Sequence, residues 1–219
     1  MAQKSQLKAG ALLSYMEIGL NILLGIVYTP VVLRILGKAE YGLYSTVSST
    51  ILTMSILSLG LNSGYIRYFS MYKKNNDMES IYKLNGLFIS IFTVIGIIII
   101  TCGLLLTANV ELIFDEGLTK SEYATARILM VLLTISLAIS FPAQVFAHII
   151  TANERFVIFR TLGMIKTVAG PLVALPLLFM GYGSIGMVSA TLFVAIVIDV
   201  IYFYYVIKVL KYKFYFLYF

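Results

Sequence analysis

Residues 84–108 read LNGLFISIFTVIGIIIITCGLLLTA, a run of 25 residues without a charged side chain. A helix rises 1.5 Å per residue, so this run is long enough to cross the roughly 30 Å hydrocarbon core of a bilayer. Five further apolar stretches are of similar length, and none is short enough to be the buried helix of a soluble core. The sequence therefore predicts an all-α, polytopic membrane protein, a single bundle over residues 1–219 with six transmembrane helices at about 11–33, 43–66, 84–108, 124–150, 161–180 and 184–207.

The composition supports a membrane protein. Hydrophobic residues make up 60% of the chain and charged residues only 12%, whereas about 25% of the residues of a soluble domain are charged. The net charge of +6 does not indicate nucleic-acid binding, because the basic residues lie at helix ends and form no groove-sized cluster among aromatic residues. Membrane lipids are the expected surroundings, and no nucleic-acid partner is predicted.

Lysine and arginine residues alternate in density from one connection to the next. Twelve of the 16 lie at the amino terminus, in the second and fourth connections and in the tail. The other side of the membrane receives only four, and its third connection is acidic. By the positive-inside rule both termini are cytoplasmic, as an even number of crossings also requires. The acidic connection contains Glu111, Asp115, Glu116 and Glu122.

Three ionisable residues inside the predicted spans lie at similar depths. Glu17, Lys166 and Asp199 lie about 9, 8 and 12 Å from the cytoplasmic ends of their helices. A charge at a helix centre costs roughly 2.5–3.5 kcal/mol, so such residues are candidate functional groups. If they face one interior, they can pair or hold a charged substrate. The alternative is that Lys166 extends to the lipid headgroups and Glu17 satisfies local polarity.

Two arginines end the first and second predicted helices on opposite sides of the membrane. Arg67 follows the polar residues Asn62, Ser63 and Gly64, whereas Arg34 precedes Gly37. A guanidinium group suits phosphate because its planar fork donates two parallel hydrogen bonds. Both arginines are therefore candidates for a phosphate-bearing substrate, or simply anchors to lipid headgroups.

Other polar residues give weaker signals. His148 and Gln144 lie one helical turn apart, and an interhelical hydrogen bond is favoured over a proton relay there. Serines recur along one face of the second predicted helix between Ser45 and Ser58, which indicates close helix packing or a partly wet surface. One histidine and one cysteine, Cys102, make no metal site. No catalytic set or cofactor motif is present, so neither an enzyme nor a cofactor is predicted.

Four stretches resemble one family, in the order in which that family carries them. Residues 28–45 (YTPVVLRILGKAEYGLYS) are similar to the end of the first helix and the first loop of lipid-linked oligosaccharide (O-antigen type) flippases. These are polysaccharide transporters of the multidrug/oligosaccharidyl-lipid/polysaccharide exporter superfamily. The other three stretches are residues 59–68 (LGLNSGYIRY), 140–146 (SFPAQVF) followed by 152–156 (ANERF), and 178–186 (LFMGYGSIG).

The resemblance implies a flippase of the bacterial plasma (inner) membrane. It would turn an undecaprenyl-pyrophosphate-linked oligosaccharide from the cytoplasmic to the outer leaflet. The oligosaccharide would then be used for the synthesis of a surface polysaccharide, for example lipopolysaccharide. Such proteins have about 12 to 14 helices in two lobes around a cavity, so this chain resembles the amino-terminal lobe and would pair with a second lobe or another copy. Substrate contacts are expected from Arg34, Arg67, Lys166 and Asn62.

On physical grounds alone, Glu17 and Asp199 would couple transport to protons or sodium. Two alternatives remain open from the sequence. One is a multidrug exporter of the same superfamily, for which an acidic cavity would suit cationic drugs. The other is a non-transporting membrane scaffold, whose intramembrane charges would pair internally and leave no cavity.

Overall fold

The computed structural model describes residues 2–58, 60–112, 114 and 118–216, and the regular secondary structure in this part of the chain is entirely helical, without a strand. Asp115 and Glu116 of the acidic connection lie outside these residues. Short 3₁₀ segments at Met54–Ser58 and Val110–Leu112 and a π-helical turn at Tyr205–Val209 join or extend the main helices. The described residues contain six α-helices: α1 (Ala2–Thr53), α2 (Leu61–Lys74), α3 (Met78–Ala108), α4 (Lys120–Ala152), α5 (Phe156–Phe179) and α6 (Gly183–Tyr204).

Five helical runs in the described residues are long and apolar enough to cross a membrane. The all-helical fold class is therefore confirmed. Four of these runs correspond to single predicted spans, and the first, Lys8–Lys74, takes in both predicted spans 11–33 and 43–66. The five runs are Lys8–Lys74, Met78–Ala108, Lys120–Ala152, Phe156–Phe179 and Gly183–Val209.

Two glycines interrupt the long first run. Gly37 has a φ of 77° and a ψ of 169°, a non-helical conformation inside α1. Gly60 has a φ of 87° and precedes α2, just after the 3₁₀ turn at Met54–Ser58. Both angles fall where a residue without a Cβ is favoured. The expected continuous helix over 43–66 therefore differs from the structure, which breaks it near Gly60.

Side-chain caps begin two of the other helices. The Asp77 carboxylate accepts a hydrogen bond from the Ser80 backbone N–H at 3.0 Å and caps α3. Hydrogen bonding from Ser80 holds the pKa of the Asp77 carboxyl below its usual value. Thr119 and Glu122 form a reciprocal capping box at the start of α4.

The helices pack into one bundle in which α6 contacts α4 and α5, and α1 lies against α4, α5 and α6. The short α2 packs on α3 and α4. Where α3 meets α4, an ideal Cβ at Gly96 would lie 2.9 Å from the carbonyl oxygen of Ala138, so the missing side chain lets the two backbones approach closely. One face of α1 carries apolar side chains that this bundle leaves exposed: Leu12, Tyr15, Ile18, Ile22, Leu23, Ile26 and Val27.

Candidate functional site

An ion pair joins α1 to α5 within the apolar helices. The Nη1 atom of Arg160 donates a hydrogen bond to Oε2 of Glu17 at 2.9 Å. The two side chains are partly enclosed, with 21% of Glu17 and 36% of Arg160 exposed. An ideal Cβ at Gly163 would lie 2.8 Å from the other oxygen, Oε1. The absence of a side chain at Gly163 therefore gives the Glu17 carboxylate room against α5.

Two further charges lie on α5 and α6. Lys166 follows Arg160 on α5, and its charge acts on the carboxylate of Asp199 on α6. Among the described residues, no ion pair within 4.0 Å joins these two groups. Both side chains are partly buried. We call the four residues Glu17, Arg160, Lys166 and Asp199 the seam cluster.

Tyr202 links the two halves of the seam cluster. Its hydroxyl donates a hydrogen bond to the backbone carbonyl of Phe159 at 3.2 Å, and the two rings are stacked with centroids 6.1 Å apart. The charges of Asp199, Glu17 and Arg160 all act on this hydroxyl. Of the three residues of similar predicted depth, Glu17 is thus paired with Arg160 between α1 and α5, and Lys166 acts on Asp199 between α5 and α6.

The seam cluster contains two acids and two bases and so carries no net charge when all four are ionised. Intramembrane charges of this kind mark substrate or ion pathways in membrane proteins. A guanidinium and an ammonium group can hold an anionic head group, and the carboxylates can hold a proton or a small cation. The cluster has the chemistry to bind an anion and a cation side by side.

A second polar group, without charges, lies between α2, α3 and α4. His148 Nε2 lies 2.9 Å from Oδ1 of Asn62, and the Tyr65 hydroxyl donates to Oδ1 of Asn85 at 2.7 Å. The ring centroids of Tyr65 and His148 are 5.9 Å apart. We call Asn62, Tyr65, Asn85 and His148 the neutral cluster. It lies just past the break at Gly60, so it fixes the start of α2 against α3 and α4.

The neutral cluster also holds the segment that follows α6. The side-chain amide of Asn85, which is 0% exposed, donates to the carbonyl of Lys213 at 3.4 Å. The backbone N–H of Tyr215 donates to the carbonyl of Tyr82 at 3.0 Å. At Gly86 a side chain would collide with the backbone of Tyr215. The segment 210–216 is thus bound against the start of α3.

The structure places the other predicted site residues apart from the seam cluster. Asn62 belongs to the neutral cluster, whereas Arg67 is exposed on α2. Arg34 is exposed on α1, three residues before the break at Gly37. In the described part of the chain no hydrogen bond or ion pair holds either arginine, so both are available to phosphate groups of a substrate or of lipids.

The hydroxyl-bearing face of the second predicted helix is partly exposed. Ser45 and Ser49 are exposed, and the Ser49 hydroxyl donates to the carbonyl of Ser45 at 2.8 Å. Thr46 and Thr50 likewise donate to carbonyls one turn earlier in their own helix. Hydroxyls satisfied in this way tolerate either lipid or water at the surface.

Sequence reasoning missed two residues. The predicted span 161–180 leaves Arg160 in the fourth connection, whereas α5 begins at Phe156 and includes it. Glu40, in the first connection, accepts hydrogen bonds through one oxygen, Oε1, from the backbone N–H and the hydroxyl of Ser184 at 2.6 and 2.7 Å. It therefore caps the start of α6. The quoted stretch of residues 28–45 contains Glu40, but its partner is 144 residues away.

An apolar groove runs along the contact between α1 and α5. Its main part has a volume of about 520 Å³ and is lined by Leu13 and Leu20 of α1, which flank Glu17 on the same helix face. A smaller continuation of about 130 Å³ reaches Val31 and Leu175. The α5 residues that line the main part are Thr161, Met164, Ile165, Val168, Ala169 and Leu172.

These features define a multi-pass membrane protein with ionisable residues inside its helices. The model of a family described as polysaccharide biosynthesis protein matches residues 7–218, nearly the whole chain. The chain belongs to this family, and the family resemblance seen in the sequence is confirmed. No curated protein and no solved structure matches the sequence.

Proposed function

We propose that this protein flips an undecaprenyl-pyrophosphate-linked oligosaccharide from the cytoplasmic to the outer leaflet of the bacterial plasma membrane. The observation that carries the proposal is the seam cluster inside a chain of the polysaccharide biosynthesis family. A lipid carrier with a charged head needs a polar path for the head, while its isoprenoid tail remains in lipid. A partly exposed ion pair next to an apolar groove suits both needs.

In this proposal the chain crosses the membrane six times, with both termini in the cytoplasm. The run Lys8–Lys74 has 67 residues, and one straight helix of that length would extend about 100 Å, more than three times the hydrocarbon thickness. The break at Gly37 supports two crossings in this run. The basic residues of the second and fourth connections and of the tail then all face the cytoplasm.

Arg67, Lys166, Asn62 and Arg34 are proposed to contact the substrate head group. Lys166 would act from the seam cluster, and Arg67 and Asn62 from the broken second span. Glu17 and Asp199 are proposed to couple transport to protons or sodium. A multidrug exporter is less well supported, because the two acids of the seam cluster are balanced by two bases and form no acidic cavity for cationic drugs.

This bundle is also proposed to act together with a second bundle, either another copy of the chain or a further six-helix lobe. Alternating access of this kind moves two bundles against each other around a site at their interface. The exposed apolar face of α1, which includes Leu12, Ile22 and Ile26, is the surface available to a second bundle. Pairing would also shield the exposed side chains of Ser45, Thr46 and Ser49 from lipid.

The test replaces the two acids of the seam cluster by amides. Glu17→Gln and Asp199→Asn keep the shape of the side chain and remove its charge, so we expect glycan export in a flippase-deficient strain to fall at least about tenfold. Membrane insertion and protein level should not change. The control is Glu79→Gln, an exposed acid that pairs with Lys83 on its own helix at 2.7 Å, and it should export normally.

Normal export by both amide variants would show that these acids are structural and that ion coupling does not involve them. Failure of the unaltered chain to export any lipid-linked glycan, when co-expressed with a matching second bundle, would contradict the proposed substrate class. Protein level is measured in each strain, so that loss of protein is not taken for loss of transport.

A further inference from the structure

The ion pair between Glu17 and Arg160 uses only a small part of the hydrogen-bonding capacity of the arginine. A guanidinium group has five N–H donors in a planar fork, and within the described residues Arg160 donates one hydrogen bond, to Oε2 of Glu17. Arg160 is also the more exposed partner, at 36% against 21%. Its remaining donors can therefore meet a ligand without any prior rearrangement of α1 or α5.

A phosphate group is a better partner for this guanidinium than the single contact that Glu17 makes. Phosphate oxygens accept two parallel hydrogen bonds from the fork, and such bidentate pairs are stronger than a monodentate ion pair. We propose that the pyrophosphate of the substrate displaces Glu17 from Arg160. The inference rests on the proposed function and adds a head-group contact that the sequence did not predict.

Displacement has a consequence for the carboxylate that is left behind. Once Arg160 is engaged by phosphate, Glu17 has lost its cation and favours a proton or a metal cation in its place. Binding of the anionic head group and binding of a cation thereby become linked, and each must strengthen the other.

The exchange predicts opposite effects for the two partners of the ion pair. Glu17→Gln removes the competitor of phosphate, so an isoprenoid pyrophosphate should bind roughly two- to fivefold tighter. Arg160→Gln removes the positive charge and the planar fork, so the same ligand should bind at least about tenfold more weakly. Arg160→Lys keeps the charge but loses the fork and should lie between wild type and Arg160→Gln. A purely structural ion pair would give weaker binding in both single variants.

Gly163 allows the same test without any change of charge. A Cβ at this position would lie 2.8 Å from Oε1 of Glu17, and the carboxylate is the end of a flexible side chain that can move away. Gly163→Ala should therefore release Arg160 and tighten binding, as Glu17→Gln does. Gly170→Ala is the matched control on the same helix, because its Cβ would meet Thr191 at an ordinary 3.6 Å.

The experiment measures binding of farnesyl pyrophosphate to the purified full chain in lipid nanodiscs by titration calorimetry, with farnesol as the ligand without phosphate. Thermal unfolding of each variant is recorded in parallel. The expected result is tighter binding by Glu17→Gln and Gly163→Ala, weaker binding by Arg160→Gln, and no change for Gly170→Ala. Farnesol binding should not respond to any of these substitutions.

Two results would overturn the inference in different ways. Binding by wild type that weakens in both Glu17→Gln and Arg160→Gln, or that changes in neither, would overturn the exchange and leave the proposed function in place. Failure of wild type and of every variant to bind the pyrophosphate more tightly than farnesol would overturn the substrate class of the proposed function, and the exchange with it.

Discussion

The seam cluster and the neutral cluster are both polar groups inside an apolar bundle, but they differ in charge and in how completely they are satisfied. In the neutral cluster, Asn62 meets His148 and Tyr65 meets Asn85 in hydrogen bonds between uncharged groups. In the seam cluster an ion pair joins Glu17 to Arg160, whereas in the described part of the chain Lys166 and Asp199 form no ion pair within 4.0 Å. The first arrangement holds helices together, and the second leaves groups available to a ligand.

This difference follows from the cost of polar groups in hydrocarbon. A buried neutral group costs little once it is hydrogen-bonded, so a satisfied pair can serve as a fixed contact between helices. A charge retains a strong tendency to find a counter-ion, and a partly exposed ion pair can exchange partners. We therefore expect substitutions of Tyr65, Asn85 and His148 to change the free energy of unfolding, and substitutions in the seam cluster or of Asn62, a proposed substrate contact, to change transport.

Asn85→Leu should have the largest effect on stability among the substitutions that test this contrast. Leucine fills a similar volume but leaves the buried hydroxyl of Tyr65 without its acceptor and frees the carbonyl of Lys213. We expect the free energy of unfolding to fall by about 1–3 kcal/mol, as measured by equilibrium unfolding in mixed detergent. Asn21→Leu is the control, since Asn21 is exposed and bonds only to its own helix.

Unchanged stability in Asn85→Leu, combined with a loss of transport, would contradict the assignment of the neutral cluster to helix packing. An equal loss of stability in Asn21→Leu would mean that the contribution of Asn85 to the free energy of unfolding does not depend on its place in the neutral cluster.

The long helices of this fold were predictable because hydrophobic length is a local property of the chain. The break of the second predicted helix at Gly60 was not predictable in this way. The sequence Gly60-Leu-Asn-Ser-Gly64 is compatible with a helix, and the positive φ of Gly60 accompanies packing of α2 on α3 and α4. Tertiary contacts between residues far apart, such as Asn62 with His148, decide the conformation there.

The sequence predicts which site residues lie at a common depth, but not which of them pair. Counting residues along each helix placed Glu17, Lys166 and Asp199 in one layer. The rotation of each helix about its axis decides which of them meet, and this depends on packing that a single sequence does not specify. Glu17 consequently pairs with Arg160, a residue that the length of the apolar run had placed outside the fifth helix.

Substitution of Glu40 tests whether the loss of any acidic side chain in this bundle lowers glycan export. Its Oε1 atom accepts two hydrogen bonds from Ser184 at the start of α6, so its charge is satisfied by a helix amino terminus. Glu40→Gln keeps an acceptor and loses the interaction of the charge with the helix dipole, and we expect a loss of about 0.5–1 kcal/mol in the free energy of unfolding. Glycan export should remain normal. Glu111→Gln, which removes an exposed ion pair with Arg127, is the control for loss of a surface charge.

A loss of export in Glu40→Gln as large as that in Asp199→Asn would contradict the distinction between satisfied and available charges.

His148→Gln should have the smallest effect, and it decides whether the neutral cluster takes part in the transport cycle. Glutamine can reach Oδ1 of Asn62, which now lies 2.9 Å from His148 Nε2, but it does not titrate. If the histidine only bridges α4 and α2, the free energy of unfolding should change by less than about 0.5 kcal/mol and glycan export should not change. His148→Leu is the matched variant that removes the bridge, and it should cost about 1 kcal/mol because the Asn62 oxygen loses its partner. Stable His148→Gln protein without export would instead identify His148 as a proton relay, which would then act in transport beside Asn62.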